Sequence, residues 1–366
     1  MSCPGGLNKT MSIPFNLFKG KRVLITGDTG FKGSWLALWL HHLGAEVTGF
    51  ALPPEGDRPH FTLLGLNNII RHIDGDIRNG EVLAAAFTEA QPEIVFHLAA
   101  QSLVRRSYDE PKRTLDTNVG GSVNVLESVR NCSSVRALVY ITSDKCYRNK
   151  EWTFGYREND ELGGHDPYSA SKAAAELVFS AYTDSFLNER GNFGGASTRA
   201  GNVIGGGDWA PDRIVPDCIR ALDAENPIII RNPHATRPWQ HVLEPLSGYL
   251  ALAAALYDNP EKFTGAWNFG PMTGSACSVE SLANQISELW GSGKVIVDES
   301  GEVPHEANLL HLSIDKANLE LGWRPRWNLN RTLAKTVGWY KRVIAEGKTA
   351  LETSRTQIDS YMESDS

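Results

Sequence analysis

The chain has 366 residues, 41% hydrophobic and 22% charged, with 36 basic against 43 acidic side chains and a net charge of −7. That is globular composition for one large or two ordinary domains of roughly 100–200 residues each, and its acidic balance excludes a nucleic-acid surface, which needs a basic face. The longest apolar run, Tyr249–Tyr257, falls well short of the ~20 residues of a membrane span, no signal-like start is visible, and five scattered cysteines without a CxxC pair predict neither a disulfide framework nor a metal site, which together point to reduced cytoplasm.

Residues 1–18 read as a loose, disordered extension. Arg22–Thr26 is then a buried strand, Lys32–Leu43 a helix and Glu46–Leu52 a second strand. Ile69–Asp74 is a third strand, Gly80–Ala90 a helix and Glu93–Leu98 a fourth strand. A long helix is expected over Thr114–Arg130, a fifth strand over Val135–Thr142, a helix over Pro167–Leu187 and a sixth strand from Gly195 to Ala200. Strands alternating with helices of this length predict a doubly wound parallel sheet covered on both faces. After Gly201 the segments shorten and Pro and Gly increase. Arg213–Ala224, Glu244–Asp258 and Val279–Trp290 read as helices, and Pro227–Arg231 and Ala266–Phe269 as short strands. The division is a cofactor-binding domain over 19–201, a smaller region over 202–350 partly interleaved with it, and a tail over 351–366. The crevice at the carboxyl ends of the parallel strands is the expected ligand site.

Gly27-Asp28-Thr29-Gly30-Phe31-Lys32-Gly33 follows the first strand and opens the first helix. Glycines there permit a tight turn and bring backbone N–H groups to a pyrophosphate at the helix's positive end, the arrangement of a Rossmann-type dinucleotide site. The second strand ends in Gly49-Phe50-Ala51-Leu52 without the acid that usually meets the adenosine ribose, so NAD and NADP both remain open. Asp76, before Ile77, reads either as an adenine contact or as a helix N-cap. Leu98, Ala99, Ala100 and Gln101 follow the fourth strand, where small residues let backbone approach a ligand.

Tyr168 and Lys172 stand at i and i+4 on one helix face. A neighbouring ammonium lowers a phenol's pKa, which would make Tyr168 a usable base. The fifth strand leads into Ser143, Asp144 and Lys145, a hydroxyl and an acid/base pair at the strand's carboxyl end.

These residues together resemble the extended short-chain dehydrogenase/reductase family, in its nucleotide-sugar branch. The resemblance runs from Lys21 to about Val343. It includes HLAAQ at His97–Gln101, DTNVGG at Asp116–Gly121, TSDKCY at Thr142–Tyr147, YSASK at Tyr168–Lys172, RAGNVIGGGDWA at Arg199–Ala210, RPWQHV at Arg237–Val242 and LGWRP at Leu321–Pro325. The sugar 4,6-dehydratases of that branch carry an acid and a base after the fifth strand. Asp144-Lys145, with PHEA at Pro304–Ala307, is similar to those acting on CDP-glucose, whereas the dTDP-glucose enzymes have Asp-Glu.

The resemblance implies bound NAD, held also by Thr117, and a three-stage reaction. Tyr168, aided by Lys172 and Ser143, takes the C4 hydroxyl proton while NAD receives the C4 hydride. Lys145 removes the C5 proton as Asp144 protonates the leaving C6 hydroxyl, and the hydride returns to C6. Lys145 must then be neutral and Asp144 protonated, which a resting ion pair between them would oppose. Arg237 is the leading diphosphate clamp, with Asn202 matching a family contact and Arg213 and Arg231 as weaker candidates. Gln101 and Ser102 are candidates for the glucose ring, and His305 and Glu306 for the sugar nucleotide. Trp209 and Trp239 could wall the base pocket. The helices over Thr114–Arg130 and Pro167–Leu187 imply a homodimer or a dimer of dimers. A nucleotide-sugar epimerase would need Tyr168 but not Asp144 and Lys145. A non-catalytic cofactor sensor would be expected to lose Tyr168 or Lys172.

Overall fold

A computed structural model describes residues 15–272, 275–298 and 309–364. The centre is a seven-stranded, wholly parallel sheet. Its strands are β1 (Arg22–Thr26), β2 (Glu46–Ala51), β3 (Arg71–Asp74), β4 (Ile94–His97), β5 (Ala137–Ile141), β6 (Gly194–Arg199) and β7 (Gly265–Asn268). The spatial order is β7-β6-β5-β4-β1-β2-β3. The chain therefore reverses direction of travel between β1 and β4, and that switch point opens a crevice at their carboxyl ends.

The β-branched and aliphatic residues of β1, β4 and β5 are buried on both faces because helices cover both. The longer helices are α1 (Phe31–His42), α2 (Gly80–Ala90), α3 (Ser122–Asn131), α4 (Pro167–Tyr182), α5 (Ile214–Asp223), α6 (Leu243–Asp258), α7 (Val279–Trp290), α8 (Leu329–Tyr340) and α9 (Ala350–Met362). One core joins Val23, Ile25 and Phe96 to Trp35 and Trp39 of α1 and to α6, α8 and α9. The other joins Leu24, Val95 and Leu138 to α2, α3 and α4.

Four differences from the sequence reading stand out. Ala266–Phe269 is not a strand of the second region: β7 pairs with β6 through Trp267↔Thr198 and closes the main sheet. The expected single helix over Thr114–Arg130 is Pro111–Leu115, a π turn at Asp116–Gly121 and then α3. Of the expected tail, residues 351–362 belong to α9, which buries Ile358 and Tyr361 completely. Of the proposed loose extension, Phe18 is fully buried in the main core; residues 1–14 lie outside the described range.

Candidate active site

The glycine turn sits at the mouth of the crevice. Gly27 has a φ of +82°, which glycine adopts without steric cost. It passes so near the end of β4 that a Cβ would lie 2.7 Å from Ala99 N. Gly33 rests on the same turn, where a Cβ would lie 2.0 Å from Gly27 O. α1 starts after Gly30 with no side-chain cap and no acid in its first turn. Its leading N–H groups and its dipole thus face the crevice, and they fit the pyrophosphate of a dinucleotide. Phe31 supports this end by packing towards Gly205, whose Cβ would lie 3.2 Å from its ring.

On the adenosine side, Asp76 is not the helix cap. It accepts from Arg78 N at 2.9 Å and pairs with the Arg78 guanidinium, while Asn79 caps α2 by accepting from Val82 N at 3.2 Å. Ile77 is buried next to Gly121, where a Cβ would meet it at 2.6 Å. Leu98, Ala99 and Ala100 form the exit of β4, and Ala99 N donates to Thr26 Oγ1 at 3.3 Å. Thr117 is half-buried in the π turn. No acid follows β2, and Leu52 there is exposed. The structure shows instead a carboxylate that sequence reasoning passed over. Asp28 is fully buried, its Oδ2 lies 2.7 Å from His72 Nδ1, and it fills the space over Gly49. A glycine inside a strand, which often marks such a close approach, was the available signal.

The chemistry-bearing residues come together from two elements. After β5 the chain runs through Thr142 and Ser143 into a 3-10 turn at Asp144–Cys146. Ser143 is buried; its Oγ donates to Asp144 Oδ1 at 2.9 Å and accepts from Lys145 N at 3.2 Å. α4 starts beside it, with Asp166 accepting from Ser169 N at 2.9 Å and Pro167 in the first turn. Tyr168 and Lys172 follow one turn apart, both buried.

Burial pushes the Tyr168 phenol up to about 12, against a hydrogen bond with Ser143 and the charge of Arg213, which pull it down. The expected lowering by Lys172 is therefore not the dominant effect. Burial also brings Lys172 down to about 8, with Glu176 and Cys146 opposing the fall. Lys32 falls to about 8 as well, through burial and then Arg213, while Asp144 pulls it up. Lys32 thus belongs electrostatically to the Asp144–Lys172 centre as well as to the glycine turn. Asp144 is buried beneath Gly201, where a Cβ would lie 2.0 Å from its carboxylate. Asp144 and Lys145 make no ion pair: the acid takes the Ser143 hydroxyl.

The substrate candidates divide. Arg213 joins the site: it pairs with Asp208 at 2.9 Å and acts on both Tyr168 and Lys32. Asn202 adopts a left-handed φ of +52° just beyond β6 and accepts from Gln240 N at 3.1 Å. Arg237 is buried on a short strand, Thr236–Pro238, and donates to Thr236 O at 2.9 Å. Arg231 is exposed and acts on Asp217 instead. The Gln101 amide is spent on its own turn, donating to Leu103 O and Thr114 Oγ1 and accepting from Leu103 N; Ser102 is exposed. Trp239 is buried in the main core, and Trp209 stacks edge-on to Tyr340 under Arg58. His305 and Glu306 lie outside the described residues. Among the described residues no cluster of three His, Cys, Asp or Glu could hold a metal ion, and no helix is long and apolar enough to cross a membrane.

Comparison with known proteins gives this geometry a lineage. Residues 24–336 match the family model described as GDP-mannose 4,6 dehydratase. The CDP-glucose 4,6-dehydratase of Salmonella typhimurium is 50% identical over 351 residues, covering 95% of this chain and 98% of that protein. The dTDP-glucose 4,6-dehydratase of Streptomyces antibioticus is 27% identical, covering 87% of this chain and 92% of the other. Among solved structures, MoeE5 in complex with UDP-glucuronic acid and NAD superposes with a TM-score of 0.73 at 26% identity, over 88% of this chain and 99% of that one.

Proposed function

The chain belongs to the GDP-mannose 4,6 dehydratase family, within the extended short-chain dehydrogenases/reductases, and on that premise we propose that it is a CDP-glucose 4,6-dehydratase, a hydro-lyase converting CDP-glucose to CDP-4-keto-6-deoxyglucose and water. What supports the reading is that the strand end with Ser143 and Asp144 lies against Tyr168, with Ser143 hydrogen-bonded to the phenol and Asp144 in electrostatic reach. Tyr168, Lys172 and Ser143 suffice for alcohol oxidation. Asp144 and Lys145, on the same strand end, add the second acid/base pair that an elimination across adjacent carbons requires.

NAD is the cofactor; when bound it would supply the hydride acceptor for C4 and the hydride donor for C6. Gly27, Gly30 and Gly33 with the free end of α1 hold its pyrophosphate, and Ala99 and Ala100 leave room beside it. Lys172, buried one turn along α4 from Tyr168, is our assignment for the cofactor ribose.

Tyr168 accepts the C4 hydroxyl proton, with Ser143 hydrogen-bonded to the same oxygen. Burial raises the phenol's pKa; the Ser143 hydrogen bond and the weaker charge of Arg213 act towards the phenolate, and the charge of Asp144 acts against it. The C4 ketone so formed acidifies C5–H. Lys145 then takes the C5 proton, and Asp144 donates a proton to the C6 hydroxyl, which leaves as water. Hydride arriving at C6 is matched by a proton returned to C5 from Lys145. Arg237, Arg213 and Asn202 are our assignment for the diphosphate, as a local cationic patch in an acidic protein. The exposed Leu177 and Phe186 on and just beyond α4 support association into a homodimer.

The reading is tested by incubating the purified chain and NAD with CDP-, dTDP-, UDP- and GDP-glucose in turn. CDP-glucose should yield the alkali-absorbing 4-keto-6-deoxy product fastest. Preference for another nucleotide would overturn the substrate, and no dehydration of any would overturn the reaction.

A further inference from the structure

Behind the strand end that carries Ser143, Asp144 and Lys145 lies a buried ion pair that none of the reaction steps uses. The side chains of Glu176 on α4 and Arg199 at the end of β6 are 3% and 4% exposed. Arg199 engages both carboxylate oxygens, Nε donating to Oε1 at 3.0 Å and Nη2 to Oε2 at 2.9 Å. Ser197 Oγ donates to Oε2 at 2.7 Å, and the Thr142 hydroxyl donates to Oε1. The remaining Arg199 nitrogen, Nη1, donates to Tyr147 OH at 2.6 Å and Glu158 O at 2.9 Å. Tyr147 OH donates in turn to Asn268 Oδ1 at 2.9 Å. The contacts of the pair thus reach Ser197 within β6, Thr142 just after β5, and Tyr147 and Glu158 in the loop beyond.

A buried ion pair is a weak source of stability, since desolvation offsets most of its attraction and an apolar pair of equal volume would serve as well. What an apolar pair could not do is hold the hydroxyl of Thr142, the residue immediately before Ser143. Glu176 also continues the face of α4 that carries Tyr168 and Lys172, at successive i+4 steps. One rigid helix face therefore carries Tyr168 and Lys172 and, through Glu176, tethers the segment bearing the other two acid/base groups.

We propose that Glu176 is a positioning residue: through Thr142 it sets the Ser143–Asp144–Lys145 segment in register with Tyr168 and Lys172, so that oxidation and elimination are served by one fixed constellation. The kinetic consequence rests on the dehydratase reading; the structural consequence does not. Misplacement of reacting groups by about 1 Å can cost ~10²-fold in rate.

The test uses the full chain with two substitutions at the linking residue. Thr142→Val keeps the branched shape and removes the hydroxyl, while Thr142→Ser keeps the hydroxyl. The Arg199–Glu176 pair stays intact in both, so the fold is spared. We expect Thr142→Val to lose at least about tenfold in kcat with KM for CDP-glucose, NAD affinity and thermal midpoint unchanged. Thr142→Ser should recover most of that loss. Crystal structures of both should show Ser143 and Asp144 displaced from Tyr168 and Lys172 in the valine variant and in place in the serine variant. Wild-type kcat in Thr142→Val, a loss that merely follows a fall in thermal midpoint, or an undisplaced Asp144 would each overturn the proposal. If the parent chain does not turn over CDP-glucose, the reaction reading fails by itself, and the crystallographic comparison still decides the positioning role.

Discussion

Gly201 lies so close to Asp144 that a Cβ on the glycine would stand 2.0 Å from the carboxylate. The glycine is required by its neighbour and not by its backbone, since it does not occupy the left-handed region. Gly201→Ala should therefore fold, because the displaced atoms are the far end of a side chain, but with Asp144 turned away. If Asp144 protonates the leaving hydroxyl, kcat should fall by about 10²-fold or more, the usual worth of a general acid. Circular dichroism and steady-state rates check both halves. A fully active Gly201→Ala would remove Asp144 from the reaction.

The two sets of acid/base groups can be separated by where each variant stalls. Tyr168→Phe removes the first proton acceptor and should lower every step, by about 10²–10⁴-fold. Lys145→Ala should still oxidise C4 yet fail to eliminate, so that reduced cofactor accumulates in a single turnover and its near-ultraviolet absorbance persists. If Lys145→Ala dehydrates at the parent rate, the base at C5 is another group.

The cofactor turn yields a prediction about affinity. Gly33→Ala places a Cβ against Gly27 O, a contact with backbone that no rotamer relieves. The turn must open, and NAD binding should weaken at least about tenfold, since the N–H groups of α1 can no longer converge on one anion. Titration of the variant with NAD measures this. Unchanged affinity would show that the pyrophosphate lies elsewhere.

Glu244 on α6 gives stability a pH dependence. It is fully buried, and burial raises its pKa to about 7, against hydrogen bonds from Tyr361 OH and the backbone of Arg326 and Trp327 that lower it. In the unfolded chain a glutamate titrates near 4.3. Between those values the folded chain holds a proton that the unfolded chain has released, so this group's contribution is complete at acid pH and is lost as pH rises through about 7. Glu244→Gln cannot titrate. The stability of the parent relative to Glu244→Gln should fall by roughly 2–3 kcal/mol from pH 5 to pH 8, measured by denaturant unfolding. A constant difference would contradict it.

The strands of the first half were legible because each is a short hydrophobic run bounded by turn residues and followed by an amphipathic helix. β7 was read as a short strand, but its place in the main sheet was not legible because about 65 residues separate it from β6. α9 was read as tail because its buried face, Ala350, Thr353, Ser354, Gln357, Ile358 and Tyr361, is largely polar and leaves little hydrophobic periodicity. That Tyr168, Lys172 and Ser143–Lys145 are neighbours at the carboxyl end of the sheet was legible from motif and spacing. Their support was not: nothing in Thr142, Glu176 or Arg199 taken singly says that three elements meet there, because that contact exists only once β5, β6 and α4 are side by side. The reading also mistook the sign of the Tyr168 shift, because the helical spacing of Lys172 was visible and the burial was not.

The central claim is that one active site oxidises C4, eliminates water and delivers the same hydride to C6. CDP-glucose deuterated at C4 tests it most directly. The account predicts product with deuterium in the C6 methyl group and none at C4, with cofactor needed only in catalytic amount. Deuterium retained at C4, or lost to the bulk cofactor, would contradict it.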